Sequence, residues 1–122
     1  MSRTFVIAEI AGTHEGDLKK ARLLVTMAKS VGADAVKTQW VSSPLSLARR
    51  RHAPEGSYGL LHFPVSWFTE LREQAHNLGL EFMCTGYLPD DIPLLAAHVD
   101  RFKISSFEAE DHEFIRAHQS YG

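Results

Sequence analysis

Four short apolar runs of β-type residues, separated by segments of helical pattern, constrain the fold of this chain more than any other feature. They cover residues 5–10, 35–39, 81–85 and 101–105, and each is followed by side chains that can carry a charge or donate a hydrogen bond. Alternation of strands and helices favours a parallel sheet with right-handed connections. The carboxyl ends of the strands in such sheets build the functional site. The sequence therefore predicts an α/β protein with its polar site at one end of the sheet.

The segments between the runs have helical periodicity. Residues 17–31 begin at Asp17, a good N-cap, and repeat apolar residues on one stripe, while residues 64–78 do the same around Trp67 and Phe68. Shorter helices are predicted at 89–97 and from Asp111 to His118. The resulting order is βαβαβαβα. This order predicts either a small open sheet or half of an eight-stranded barrel.

Residues 41–63 differ from the rest of the chain, because glycine, proline and serine interrupt them. We expect a loop of more than twenty residues with one helical turn near Leu45–Arg50. Its basic run, Arg49-Arg50-Arg51, is a candidate for binding phosphate or a partner. Solvation of these arginines in an exposed loop is the favoured interpretation.

Lys37 and Lys103 stand inside otherwise apolar strands, where a lysine is costly to bury without an anionic partner. An anionic ligand is therefore the leading hypothesis. The formal net charge of −2 predicts no general attraction to nucleic acid or to an anionic membrane. The single cysteine, Cys84, excludes an internal disulfide and a multi-cysteine zinc site within the chain. His14, in the loop after the first run, either borders the site or is structural.

The chain contains, in this order, the strings FVIAEIAGTHEGDLKKARLL, GADAVKTQ, LGLEFMCTGY and RFKISSFE. Together they resemble the N-terminal barrel half of the sialic acid synthase family, which includes N-acetylneuraminate, legionaminic acid and pseudaminic acid synthases. Phe107, in the last of these strings, is more typical of the pseudaminic acid synthases. The resemblance implies an α/β fold of the (β/α)8 TIM-barrel family. Residues 1–122 are then the first four β/α units, a half barrel without the family's C-terminal antifreeze-like domain.

The family condenses phosphoenolpyruvate with a 2-acetamido sugar aldehyde to a nine-carbon keto acid, a transferase reaction of carbohydrate biosynthesis. The residues that the resemblance assigns to phosphoenolpyruvate are Lys37, Thr85, Lys103 and Ser106. The residues that it assigns to the sugar are Glu9, Gln39 and Glu108. Glu9 and Glu108 are also the catalytic candidates, since one of them handles a proton. Strict alternation groups Lys103 with Ser105, so the assignment of Ser106 requires the strand to end or bulge at Ser105.

The resemblance also implies a divalent metal, Mn²⁺ or Mg²⁺, at the sugar carbonyl. The family's metal-binding histidines belong to the other half of its barrel, so no metal ligand is expected in this chain. A cytoplasmic location and small-molecule substrates are expected, with no membrane or nucleic-acid partner. A half barrel has two open sheet edges, and we expect an apolar inner face; both favour a homo-oligomer or pairing with a missing barrel half.

By itself the chain is expected to be an incomplete and inactive enzyme. The alternative function is that of a non-catalytic half-barrel module that acts by self-association or by binding small anions. A third interpretation is a small open-sheet domain unrelated to sugars. The sequence has no Gly-rich phosphate loop of the P-loop or dinucleotide type, which argues against the nucleotide-binding version of that third interpretation.

Overall fold

Four parallel strands in the order β1-β2-β3-β4 form the centre of the protein in a computed structural model that describes residues 3–121. The strands are β1 (Ile7–Ala11), β2 (Ala35–Gln39), β3 (Glu81–Thr85) and β4 (Arg101–Lys103). The helices are α1 (Leu18–Ser30), α2 (Pro44–Arg50), α3 (Ser66–Asn77), α4 (Ile92–Ala96) and α5 (His112–Gln119). Sequential order and parallel pairing are those of consecutive β/α units, as predicted.

One face of the sheet is packed by helices and forms the core. Side chains alternate along a strand, so Val36, Phe82 and Cys84 share this face. They lie in one cluster with apolar residues of α1 and α3, including Val25 and Phe68, all of them buried. The predicted helical stripes were therefore correct. Burial of this kind stabilises the fold by about 25 cal/mol per Å² of apolar surface.

The opposite, inner face of the sheet is polar, so the expectation of an apolar inner face was wrong. Strand register places Glu9 beside Lys37, and Gln39, Thr85 and Lys103 in one row across β2, β3 and β4. At the start of β4, the Arg101 guanidinium lies 4.8 Å from the ring centroid of Phe5 and its Nε donates to Glu81 Oε1 at 2.7 Å. The charged residues occur at alternate positions of each strand, so they gather on one face.

Two aspartates tie neighbouring strands together at the amino end of the sheet. Asp34 accepts the backbone N–H of Val6 at 2.8 Å and pairs with Arg3, and these contacts lower the pKa of its carboxyl. Burial alone would raise the pKa of Asp100. The backbone N–H of Phe82 at 2.7 Å and the His76 ring at 2.6 Å outweigh burial, so that pKa is also lowered. Each carboxylate thus satisfies a backbone donor where a strand begins.

Residues 41–63 are more ordered than the predicted long loop. Ser43 caps α2, because its Oγ accepts the N–H of Ser46 at 3.1 Å, and Pro44 occupies the first turn. A 3₁₀ turn at Gly59–Leu61 returns the chain to the sheet, where Val41 N–H donates to Leu61 O at 2.9 Å. The helical turn predicted near Leu45–Arg50 is thus a seven-residue helix. Across residues 3–121, no helix has the length and apolar character needed to cross a bilayer.

Candidate functional site at the carboxyl ends of the strands

An ion pair between β1 and β2 is the first element of the site. Lys37 Nζ lies 2.9 Å from Glu9 Oε2, and the two residues are partners in strand register. The other carboxylate oxygen, Oε1, accepts the N–H of Ala11 at 2.7 Å. Ala11 has a φ of 41°, in the left-handed region, and the register of β1 against β2 shifts there. The irregular strand end therefore holds the Glu9 carboxylate toward Lys37, in a conformation that costs free energy for a non-glycine residue.

The second element is the row formed by Gln39, Thr85 and Lys103. Thr85 lies in the middle and is only 2% exposed, whereas the Lys103 side chain is open to solvent. Lys37 is partly shielded, with 12% of its side chain exposed. Adjacent strands lie about 4.8 Å apart, so β2 and β4, which carry the two lysines, flank β3 at about 10 Å from each other. Lys103 thus lies directly beside Thr85, and Lys37 lies one inward position nearer the amino end of β2, beside Met83.

The turn after β4 separates the roles of its two serines. The strand ends at Lys103, which meets the condition that the assignment of Ser106 required. Ser105 Oγ donates to Glu108 Oε2, and the Glu108 N–H donates to Ser105 O at 3.2 Å. Ser106 is exposed. The Ser105 hydroxyl is therefore engaged with Glu108, while Ser106 is the serine of this turn that faces solvent.

Glu108 is buried against Arg51, for which the sequence favoured a solvated loop. Arg51 Nη2 lies 2.7 Å from each carboxylate oxygen of Glu108, and Arg51 Nε lies 3.1 Å from Oε1. The two side chains are only 13% and 2% exposed. The solvated interpretation was wrong for Arg51; of its neighbours, Arg49 is exposed and Arg50 pairs with Asp111 at 2.6 Å. Local pattern gave no signal for this pair, because its partners are 57 residues apart.

Three aromatic rings surround the guanidinium of Arg51. Its carbon lies 4.3 Å from the ring centroid of Phe107, 5.1 Å from that of Tyr87 and 5.4 Å from that of Tyr58. Burial acts to lower the pKa of Arg51, but hydrogen bonds and charge from Glu108 and Tyr58 outweigh it, and the pKa lies above its ordinary value. Burial also raises the pKa of Tyr87. Arg51 is therefore a fixed cation and Tyr87 a neutral phenol near neutral pH.

Two further contacts join the loops that follow β2 and β3. The buried carboxylate of Asp91 accepts the N–H of Ser42 at 2.9 Å. Gly86 follows β3 directly, and a Cβ there would stand 2.5 Å from Leu95 Cδ1. The close approach of α4 thus requires glycine at the position between Thr85 and Tyr87. These contacts hold the loop residues of the site at fixed positions over the strand ends.

His14 packs in the protein interior, as in the structural alternative left open by the sequence. It is 1% exposed, and its ring lies edge-on to Phe63 and Trp67 with centroids 5.6 and 5.4 Å away. The N–H of Gly16 donates to His14 Nδ1 at 2.9 Å, while Nε2 has no hydrogen-bond partner among residues 3–121. Burial lowers the pKa of His14. The imidazole is therefore neutral near neutral pH.

With this geometry in place, comparison with known proteins decides the family. The model of the NeuB family matches residues 24–122. This chain belongs to the NeuB family. The resemblance to sialic acid synthases is thereby confirmed. Named members of the family are sialic-acid-type synthases, enzymes of carbohydrate biosynthesis that act on small molecules.

Two curated relatives show the extent of the match. The chain is 34% identical to the N,N'-diacetyllegionaminic acid synthase of Legionella pneumophila, over 92% of this chain and 35% of that protein. It is 30% identical to a pseudaminic acid synthase of Campylobacter jejuni, over 93% of this chain and 37% of that protein. The chain thus spans little more than a third of the length of these NeuB relatives.

A solved structure confirms the fold class. The N-acetylneuraminic acid synthetase of Leptospira borgpetersenii superposes with a TM-score of 0.86 at 23% identity, over 98% of this chain and 42% of that protein. At this identity the likeness concerns the fold alone. The four β/α units of this chain are therefore part of a NeuB-type TIM barrel, and the polar row lies at the carboxyl ends of its strands.

The site residues inferred from the sequence fall into two places in this NeuB chain. Glu9, Lys37, Gln39, Thr85 and Lys103 share the inner face of the sheet. Ser106 and Glu108 follow β4 in a turn, with Glu108 held by Arg51. Within residues 3–121 no three His, Cys, Asp or Glu side chains lie close enough together to hold a metal ion. The described residues therefore do not fit the divalent metal that the sequence resemblance implied, and we assign that ion no step.

Proposed function

We propose that the protein formed by this chain condenses phosphoenolpyruvate with a 2-acetamido sugar aldehyde to form a nine-carbon keto acid. Carbon–carbon bond formation joins the methylene carbon of phosphoenolpyruvate to the aldehyde carbon. One water molecule is consumed and inorganic phosphate is released, which balances the reaction. The observation that carries this proposal is the placement of Lys37 and Lys103 on the two strands that flank Thr85, on the same face and toward the carboxyl ends of the sheet.

The charges of this row suit phosphoenolpyruvate. That molecule carries a phosphate and a carboxylate, and preorganised cations and hydroxyl donors are the groups that stabilise such charge. In the proposal Lys37 and Lys103 neutralise it, and Thr85 and Ser106 donate hydrogen bonds. Lys37 is held in place by Glu9 at 2.9 Å, so its ammonium group is already oriented before the ligand binds.

The acidic and amide groups around this row suit a polyhydroxylated acceptor. In the proposal Glu9, Gln39 and Glu108 face the sugar, and a glutamate moves the proton that the condensation requires. Glu9 is the better placed of the two glutamates for proton transfer, because its side chain remains 38% exposed while Glu108 is 2% exposed. Glu108 is then assigned to the sugar side of the site, where its bound carboxylate fixes the turn after β4, rather than to exchanging a proton with water.

Binding of the anion is tested directly by titrating phosphoenolpyruvate into the chain and following amide shifts by NMR. We expect shifts centred on β2, β3 and β4, and loss of binding in Lys37→Ala and in Lys103→Ala. Lys19→Ala, on the exposed side of α1, is the matched control and should bind like the parent chain. Unchanged binding in both site variants would show that the anion site is misassigned.

Catalysis is tested with the complete natural polypeptide, whose mass in its own cells is measured first. Phosphate release is followed with phosphoenolpyruvate and a series of 2-acetamido sugars, with and without Mn²⁺ or Mg²⁺. We expect release that depends on both substrates. Absence of release with every sugar tested, in a polypeptide that binds phosphoenolpyruvate, would reject the condensation and leave the anion site standing.

A second candidate function, assembly with another barrel half, is favoured by one specific observation. Phe5, Val6 and Ile7 at the β1 edge are 41%, 46% and 41% exposed. Apolar side chains along an open strand edge favour pairing with another chain. Light scattering of the chain tests this function: a dimer supports it, and a monomer at all concentrations argues against it.

A further inference from the structure

We propose that Arg51 is a positioning residue for the condensation, which holds the Glu108 carboxylate in one orientation after the end of β4. The inference rests on the proposed function, because the orientation of Glu108 matters to catalysis only if Glu108 faces the sugar. None of the residues assigned to the site from the sequence plays this part. Arg51 comes from the end of α2, and Glu108 comes from the turn after β4.

The contacts direct Arg51 at Glu108 rather than at a substrate. Its Nη2 reaches both oxygens of Glu108 at 2.7 Å and lies 3.4 Å from Ser105 Oγ, while its Nε donates to Oε1 at 3.1 Å. A two-pronged contact of this kind fixes the plane of the carboxylate as well as its charge. Three of the five N–H donors of the guanidinium are thereby directed at Glu108 and at the Ser105 hydroxyl.

The surroundings of the pair make Arg51 the source of charge balance for Glu108. Arg51 from the end of α2 is the cation paired with this carboxylate, and Tyr87 at the end of β3 also faces it. Tyr87 is a neutral phenol near neutral pH, because burial raises its pKa. Removal of Arg51 would leave a carboxylate that is 2% exposed without its paired cation, which is costly. Arg51 therefore balances the charge of Glu108.

The aromatic rings decide the orientation of Arg51. Phe107 stacks on the guanidinium at 4.3 Å while its own side chain remains 63% exposed, so it separates the ion pair from solvent. Tyr87 and Tyr58 bound the guanidinium at 5.1 and 5.4 Å. Cation–π contacts of this kind favour Arg over Lys, whose ammonium group lacks the planar face. The enclosure therefore selects arginine at position 51.

The kinetic test uses the complete polypeptide with Arg51→Met, Arg51→Lys and Arg50→Met. Arg50 is the matched control, because it is the adjacent arginine and pairs with Asp111 instead. We expect Arg51→Met to lower kcat/KM for the sugar by roughly a hundredfold, which corresponds to the loss of one buried charge-assisted contact. The KM for phosphoenolpyruvate should change little, since its lysines lie on strands. Arg51→Lys should recover part of the loss, and Arg50→Met should stay within about twofold of the parent.

A second measurement separates positioning from general damage to the fold. The carbon-13 chemical shift of the Glu108 side-chain carboxyl group is measured at one pH, with the Glu108→Gln variant used to assign the signal. In Arg51→Met this chemical shift should move away from the parent value, because the carboxylate loses its two-pronged partner, and in Arg50→Met it should stay at the parent value. Arg51→Lys retains a cation and keeps this measurement possible if the Met variant fails to fold.

The outcomes distinguish the two proposals. A parent polypeptide that does not catalyse the condensation rejects the proposed function, whatever the variants do. An active parent in which Arg51→Met and Arg50→Met behave alike rejects the role of Arg51. Arg51→Met should also have no further effect in a Glu108→Gln background, because the arginine acts through that carboxylate. Additive losses in the double variant would overturn the inference.

Discussion

The site consists of two groups of residues that are held in place by different means. The strand group is formed by Glu9, Lys37, Gln39, Thr85 and Lys103. The loop group is formed by Arg51, Tyr58, Tyr87, Phe107 and Glu108. Sheet register aligns the strand group, and its ion pair leaves Glu9 38% exposed. A single ion pair, 13% and 2% exposed, holds the loop group together under aromatic rings.

This difference shows in which part of the site the same residues affect both stability and ligand binding. Residues of the strand group can lose a charge without loss of the sheet, because backbone hydrogen bonds keep their positions. The loop group has no such ladder, and its one buried link between the end of α2 and the turn after β4 is Arg51. Substitutions in the strand group should therefore change ligand binding with little effect on stability. Substitutions in the loop group should change both.

Arg51→Met should give the largest loss of stability. Removal of one partner from a buried ion pair leaves an uncompensated charge and costs about 3–5 kcal/mol. The free energy of unfolding is measured by urea titration, with Arg50→Met as the control. Arg50 and Asp111 are each more than a third exposed, so their pair contributes less than about 1 kcal/mol. Equal losses in the two variants would remove the distinction between the buried and the exposed arginine.

Gly86→Ala should give the next largest loss, because it disturbs the junction of the two groups. The added Cβ would meet Leu95 Cδ1 at 2.5 Å, and overpacking of this kind costs about 1–3 kcal/mol. Thermal unfolding measures the change. Gly59→Ala is the control, because a Cβ at Gly59 would meet no described atom within 4 Å and Gly59 does not have a positive φ. Gly56→Ala is unsuitable as a control, since Gly56 has a φ of 84°. A stable Gly86→Ala variant would mean that α4 shifts without cost.

Acidification from pH 7.5 to 5 should lower stability through His14. Burial holds the folded pKa of His14 below its ordinary value of 6.5, so the unfolded chain binds the proton first. The contribution of His14 is present above pH 6.5 and declines below it, by at most about 1.4 kcal/mol per pH unit. His98, whose folded pKa is also lowered by burial, adds in the same direction.

Urea titrations across this pH range measure the slope. His14→Asn should flatten it, whereas His112→Asn, on the exposed first turn of α5, should leave it unchanged. A slope that His14→Asn does not alter would show that the buried ring remains accessible to protons in the folded protein.

Lys103→Met should give the smallest change in stability and a large change in binding. The side chain is exposed, and surface substitutions usually stay within about 0.5 kcal/mol. Loss of one of the two cations should nevertheless weaken phosphoenolpyruvate binding at least about tenfold. Calorimetric titration measures the affinity, and urea unfolding measures the stability. A destabilised Lys103→Met variant would mean that Lys103 stabilises the fold rather than binding the ligand.

Periodicity made much of the fold and the strand group predictable. Alternation within short runs placed Lys37 and Gln39 on one face, and the βα order placed their ends beside those of the neighbouring strands. The prediction that the inner face of the sheet is apolar was wrong for a simple reason. Each strand contributes only two or three inward positions, so the polar face emerges only when four strands are laid side by side. The family resemblance supplied the chemistry of the row.

The loop group was not predictable in the same way. Arg51 looked like one of three equivalent basic residues, and Glu108 looked like a residue facing a sugar. Nothing in the local sequence distinguishes Arg51 from Arg49 or Arg50. The distinction depends on where α2 ends relative to the turn after β4, which is a property of the whole packed structure.

By itself the sequence determined the four β/α units, the helix cap at Asp17 and the row of polar strand ends, because these follow from periods of two and 3.6 residues and from cap chemistry. Only the tertiary structure decided which arginine is buried, which serine faces solvent and why Gly86 must lack a side chain. These properties depend on contacts between residues far apart in the chain. Local pattern does not encode such distances, since packing in three dimensions sets them.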